Sequence, residues 1–167
     1  MNSNAFEEQL SGGHPNYLGN TIAVVEAVLG KPSNFSALFD CFFSDDVLVQ
    51  MRVANAMKCI ARAIKKLLLP YIDRFLNEVS LIDQASTKWS LAQLNLLLDS
   101  DLSAAQLKKA KGILVDNLMN HSDWIILNMT METSGVWAQK DDALKANIRD
   151  RIYQLQNDPR KSVSKKA

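Results

Sequence analysis

The sequence predicts an all-α protein, an α-α superhelix of about four stacked helix pairs. Apolar residues recur at steps of three and four through most of the 167 residues, which is the spacing of helices with one buried face. No segment alternates strictly between apolar and polar residues over the length of a strand. Similar helix starts recur along the chain, and aligning them at Val49, Thr87, Ile126 and Val163 gives offsets of 38, 39 and 37 residues. A repeated helix pair of that length predicts an α-solenoid.

Composition favours a soluble protein of a reducing compartment, and we expect it in the cytoplasm. Hydrophobic residues make up 47% of the chain, enough to bury a core. Nineteen basic and eighteen acidic residues leave a net charge of +1, which selects neither nucleic acid nor an anionic membrane. The apolar runs are too short for a membrane span, and the first twenty residues lack the features of a signal peptide.

Breaking residues organise the first part of the chain. Gly12, Gly13 and Pro15 separate a short N-terminal segment from a helix expected over 17–29, which ends at Gly30 to Pro32. A cap at 33 or 34 then predicts a helix to about residue 43. We expect residues 1–20 to be an N-terminal extension or cap and residues 21–167 to be the repeat domain, with its last repeat incomplete.

Capping residues mark the later helix starts. A Ser or Asp side chain before an apolar-periodic segment accepts hydrogen bonds from the first helical N–H groups. The predicted helices are 47–66 after Asp45 or Asp46, one from Pro70 to about 81, 86–98 opened by Ser86, 104–119 after Ser103, 124–140 after Ser122 or Asp123, and one after Asp141 ending near 156.

One of these helices carries a family resemblance. After Asp45-Asp46 the chain reads Val49-Gln50-Met51-Arg52-Val53-Ala54-Asn55-Ala56-Met57. This resembles the second helix of a HEAT repeat, although Gln50 stands where that family usually has Arg. The resemblance covers roughly residues 21–167 and implies a HEAT-like or armadillo-like solenoid, a fold that serves many unrelated functions. An ordinary up-down helical bundle is the alternative.

Catalytic and metal-binding patterns are missing from the sequence. His14 and His121 are the only histidines, and no closely spaced His or Cys pairs exist, so we expect neither a metal nor a cofactor. Cys41 and Cys59 both lie in apolar segments and are interpreted as core thiols. We therefore predict that the protein is not an enzyme.

Two pairs of carboxylates have a structural explanation. Asp45-Asp46 and Asp141-Asp142 each precede a predicted helix. A carboxylate at that position caps N–H groups and complements the helix dipole. We interpret both pairs as caps rather than as catalytic acids.

The resemblance implies that the second helix of each pair lines a concave binding face. In the 47–66 helix the core stripe includes Ala56, Ile60 and Ile64, and a helical wheel places other residues opposite that stripe. Carrying those positions along by the repeat offset extends the face to the next two helices. The predicted binding residues are Met51, Asn55, Lys58, Arg62, Trp89, Gln93, Asn128 and Glu132.

These residues predict a mixed polar groove that binds another protein or a peptide. Trp89 is either its aromatic anchor or a residue packed between repeats. Trp124 is interpreted as packing between repeats, and Trp137 fits either role.

Nucleic acid is the disfavoured alternative partner. Residues 145–167 contain seven basic and two acidic residues, and a basic end can contact phosphates. HEAT-like repeats also occur in DNA-alkylation-repair glycosylases, and this resemblance implies a basic channel facing the lesion. Only Lys58 and Arg62 supply cations to the predicted groove, so we favour a non-catalytic protein-binding scaffold or regulatory module.

Overall fold

The computed structural model describes residues 1–14 and 17–167, so the predicted breaker Pro15 lies outside the described residues. Over these ranges the regular structure is helical throughout, which confirms the all-α prediction. The ten α-helices are α1 Ser3–Leu10, α2 Thr21–Gly30, α3 Phe35–Asp40, α4 Val47–Ile64, α5 Ile72–Asn77, α6 Ala85–Leu97, α7 Ala104–Asn120, α8 Trp124–Ala138, α9 Asp142–Leu155 and α10 Lys161–Ser164.

Two compact units make up the chain, Met1–Ile72 and Asp73–Ala167. In the first unit, α1 packs against α3 and α4, with Phe6 and Leu10 fully buried. The N-terminal segment therefore contributes to the core of this unit.

The first unit is held together by α4 and an aromatic cluster. Ala56 and Ile60 are fully buried on α4, as the core stripe predicted, whereas Ile64 at the end of that stripe is 39% exposed. The prediction was wrong at Ile64 because the helix ends there and 3₁₀ turns follow. The ring of Tyr71 lies 4.8 Å from the rings of both Phe35 and Phe39, within the range of aromatic pairing.

Several of the predicted caps are present. Asp46 accepts a hydrogen bond from the N–H of Leu48, Asp123 caps α8 and Asp141 caps α9. Ser103 forms a capping box with Gln106 at the start of α7. These bonds join residues two or three positions apart, which is why sequence alone could predict them.

Other boundaries were predicted wrongly. α6 begins at Ala85 because Gln84, and not Ser86, accepts from the N–H of Thr87. The helix expected from residue 17 begins at Thr21, and the one expected over 33–43 is α3 flanked by 3₁₀ turns. The helix at Pro70 opens as a 3₁₀ turn, continues as α5 and closes as another 3₁₀ turn.

In the second unit, alternate helices pack on one another. α6 packs more extensively on α8 than on the intervening α7, and α7 also contacts α9. Hydrogen bonds connect these alternate helices. Thr133 donates to the carbonyl of Ala92 at 2.8 Å, and Arg151 donates to the carbonyl of Leu118 at 3.0 Å. α6 therefore has α8 as its main neighbour, while α7, α8 and α9 all contact one another.

Among the described residues, none of the helices combines the length and apolar character needed to cross a bilayer.

Candidate functional site

The predicted binding residues of α4 lie in different environments. Met51 and Asn55 are half-buried and Arg62 is exposed. Lys58, expected on the solvent side, is only 6% exposed. The helical wheel assumed that α4 has one buried face. It misplaced Lys58 because α4 is buried on more than one face. Burial, followed by repulsion from Arg62, lowers the pKa of Lys58 to about 8.

Sequence reasoning also missed the most buried cation. Arg52 is 1% exposed, and its guanidinium donates to four backbone carbonyls, those of Leu10, Gly12, His14 and Tyr17. Five donor N–H groups match the five bonds formed, so the buried charge is solvated by the backbone of the segment before α2. Arg52 lies three residues after the core residue Val49 and therefore on the same side of the helix, and this spacing could have predicted its burial.

An apolar cleft about 340 Å³ in volume lies between α2 and α4 in the first unit. Apolar side chains line most of it, and Leu18 and Ile22 are 51% and 65% exposed. Glu26 is the charged side chain in this lining, and Asn55 is the predicted binding residue that reaches it. The lining comprises Leu18, Thr21, Ile22, Val25, Glu26, Asn55 and Cys59.

The two cysteines differ. Cys41 is buried, and its thiol donates to the carbonyls of Ser3 and Ala37 at 3.4 Å. Burial, followed by repulsion from Glu7 and Asp40, raises the pKa of Cys41 to about 12. Cys59 is exposed in the α2–α4 cleft, so interpreting it as a core thiol was wrong. Its outward position matches its helix face, which it shares with half-buried Asn55 four residues before it and exposed Arg62 three residues after it.

The predicted residues of the second unit are also divided. Trp89 and Gln93 on α6 are half-buried, and the Gln93 amide contacts the sulfur of Met129 at 2.9 Å. Asn128 is buried. Glu132 is exposed and pairs with Lys166 of the α10 end, at 2.9 Å between Nζ and Oε2. That the predicted binding residues of α4, α6 and α8 form one continuous face stays a prediction.

The other two tryptophans differ in burial. Trp124 is exposed at the start of α8, where it is the first helical residue, so packing between repeats was a wrong expectation. Trp137 is buried in the last turn of α8.

A second cleft, about 390 Å³ in volume, lies between α8 and α9 beside the end of α10. Buried Met131 and Ile148 and half-buried Ile152 form its apolar floor, while Lys145, Arg149 and Lys166 supply its charged side chains. The basic segment 145–167 noted in the sequence is therefore partly gathered around one apolar cleft.

Asp158 and Arg160 form an ion pair in the turn between α9 and α10. The carboxylate of Asp158 accepts from the Arg160 guanidinium at 2.7 and 2.8 Å, and Arg160 also donates to the carbonyl of Ser122. The hydrogen bonds from Arg160 lower the pKa of Asp158 to about 2. The bond from Arg160 to Ser122 therefore links the α9–α10 turn to the segment just before α8.

Residues with metal-binding side chains do not cluster in the described part of the chain, where no group of three His, Cys, Asp or Glu residues could hold an ion. The carboxylates of Asp46 and Asp141 are occupied as helix caps, and Asp141 also pairs with Lys111 at 2.7 Å. Comparison of the chain with protein-family models, with curated proteins and with solved structures gave no match.

Proposed function

We propose that this chain is a non-catalytic, HEAT-like helical-repeat module that binds another protein. The packing of α6 on α8, rather than chiefly on α7, supports repeats over an up-down bundle, in which consecutive helices are the main neighbours. The interhelical bonds Thr133–Ala92 and Arg151–Leu118 join residues 41 and 33 positions apart. These separations lie on either side of the sequence period of 37 to 39 residues.

The α2–α4 cleft carries the proposal of protein binding. Leu18 and Ile22 expose large apolar surface beside a cleft between two helices. Exposed apolar surface next to a cleft is typical of protein interaction sites. A groove between helices suits an amphipathic helix that inserts apolar side chains spaced three and four residues apart.

The charge of the cleft lining indicates which charge the partner should carry. Among the described residues that line this cleft, Glu26 alone has a carboxylate or a basic group. A partner helix with a Lys or Arg beside its apolar face would pair with that carboxylate, and complementary charges favour the correct partner. We therefore propose a basic amphipathic helix as the occupant.

Selection from a displayed library of helical peptides tests this function. We expect the full chain to enrich peptides with apolar residues at helical spacing and a neighbouring Lys or Arg. Ile22→Asp should weaken their binding about tenfold or more, as loss of an interface anchor does. Val47→Asp is the matched control, because Val47 is also a largely exposed apolar residue near a helix start but lies outside the cleft lining.

Alkylation of Cys59 reports whether binding occurs in this cleft. A bound peptide should slow the reaction of Cys59 with iodoacetamide, because Cys59 lines the cleft. Equal binding by the Ile22→Asp variant, or unchanged Cys59 reactivity in the complex, would contradict the proposal. Self-association of the wild-type chain that Ile22→Asp abolishes would assign the surface to a second copy and also overturn it.

A further inference from the structure

The α8–α9 cleft of the second unit combines two kinds of lining. Its floor is apolar, with Met131, Ile148 and Ile152 closing it from below. Among the described residues, no neighbouring atom lies within 4 Å of the place where a Cβ on Gly135 would be, so one wall of the cleft is bare helix backbone. This gives an inserted aliphatic side chain direct access to the floor.

The charged side chains at the rim are all basic. Lys145, Arg149 and Lys166 line the cleft, and none of the other described residues in the lining is acidic. Lys166 forms an ion pair with Glu132, and Lys145 and Arg149 are the cations of the lining that belong to α9. Arg149 contacts its neighbour Asp150 at 3.4 Å, but both side chains are largely exposed, so this pair holds the guanidinium weakly.

The two cations of α9 lie along one helix face. Lys145 and Arg149 are four residues apart, about 6 Å along the axis at the helical rise, and the neutral Tyr153 follows after four more residues. Such a stripe matches a ligand with successive carboxylates better than one small anion.

We propose that this cleft binds an acidic segment of a partner protein, which inserts an aliphatic side chain onto the Ile148 floor and places carboxylates against Lys145 and Arg149. A nucleic acid would meet the same cations but has no aliphatic group for the floor. Tyr153 alone provides too little aromatic surface for a row of stacked bases. This proposal uses a different unit and opposite charges from the α2–α4 cleft, so it does not depend on that site.

Paired charge reversals test the cationic rim. Peptides are selected on the full chain from a displayed helical library, and their affinities are measured by fluorescence anisotropy at physiological salt. We expect a class rich in Glu or Asp beside Leu or Ile, whose binding falls about tenfold or more in Lys145→Glu/Arg149→Glu. Lys161→Glu/Lys165→Glu makes the same change in net charge at exposed residues outside the lining and should leave the affinity nearly unchanged.

A second variant tests the floor without changing any charge. Gly135→Leu fills the cleft from its bare wall, and a helical Gly replaced by Leu should not weaken the fold. We expect Gly135→Leu to reduce binding of the acidic peptides about tenfold, while Gly112→Leu on α7 leaves it unchanged.

Three outcomes would overturn the proposal. The first is no acidic class among the selected peptides. The second is equal loss of binding in the two charge-reversed pairs, which would show only bulk attraction. The third is binding of single-stranded oligothymidylate at physiological salt that is lost in Lys145→Glu/Arg149→Glu, which would assign the rim to nucleic acid. Ile22→Asp should not affect the acidic class, so failure here is distinguishable from failure of the α2–α4 site.

Discussion

The guanidinium of Arg52 donates two hydrogen bonds to the carbonyl oxygen of Tyr17, from Nε at 3.3 Å and from Nη2 at 3.2 Å. Bonds to Leu10, Gly12 and His14 use its remaining donors. A buried cation is thus solvated by carbonyls at the end of α1 and at described residues that follow it, and these residues are tied to α4.

Replacing Arg52 should destabilise the protein strongly. Arg52→Met leaves four backbone carbonyls without the donors of this guanidinium, and we expect it to lower the free energy of unfolding by about 3 kcal/mol or more. Arg52→Lys should recover only part of this loss because an ammonium lacks the planar fork. Urea denaturation measures both, with the exposed Arg62→Met as the control. An equal effect of Arg52→Met and Arg62→Met would show that the carbonyl cage contributes little.

Replacing glycine with alanine should change stability in opposite directions at two positions. Gly19 has a φ of +56°, and a Cβ there would lie 3.1 Å from Cζ of Arg52, so Gly19→Ala should cost about 1 kcal/mol or more. Gly112 lies within α7, where an added Cβ would meet open space, and Gly112→Ala should stabilise the fold by about 0.5–1 kcal/mol. Melting temperatures check both, and a stabilised Gly19→Ala variant would contradict the assigned contact.

Lys58 should make stability depend on pH in the alkaline range. Its pKa falls from 10.5 to about 8 on folding, so the folded state binds this proton less tightly than the unfolded state does. The resulting destabilisation is complete below about pH 8 and disappears as the pH rises toward 10.5. The contribution of Lys58 to the free energy of unfolding therefore increases across that window.

Urea denaturation at pH 7 to 10 isolates this effect by difference. Lys58→Met should show a smaller rise in stability with pH than the wild type, and the exposed Lys66→Met should follow the wild type. Parallel curves for the wild type and Lys58→Met would mean that Lys58 has an ordinary pKa in the folded protein.

The two cysteines should react at very different rates in the folded protein. Cys59 is exposed, whereas Cys41 is buried with a pKa raised to about 12. Since the thiolate is the reactive form, iodoacetamide at mildly alkaline pH should modify Cys59 first and Cys41 only after unfolding. Mass spectrometry of digested protein locates the label, and Cys59→Ser should abolish native-state labelling. Rapid labelling of Cys41 would show that its surroundings open readily.

Part of the candidate site followed from sequence. Asn55 was placed on a binding face and lines the α2–α4 cleft, and the basic segment that supplies Lys145 and Arg149 was visible as a cluster of charges. The apolar partners of both, Ile22 on α2 and Ile148 on α9, were not predicted as site residues. A cleft depends on which helix lies beside which, and no spacing within one helix contains that information.

The sequence by itself determined the helical class and many of the helix starts, because apolar periodicity and caps such as Asp46, Asp123 and Asp141 act over a few residues. Tertiary structure decided which polar side chains are buried. Arg52 and Lys58 lie inside because neighbouring segments cover more than one face of α4. For Arg52 the cost of burying the charge is offset by groups distant in sequence. For Arg52 those groups are the carbonyls that precede α2, brought within hydrogen-bond distance by folding alone.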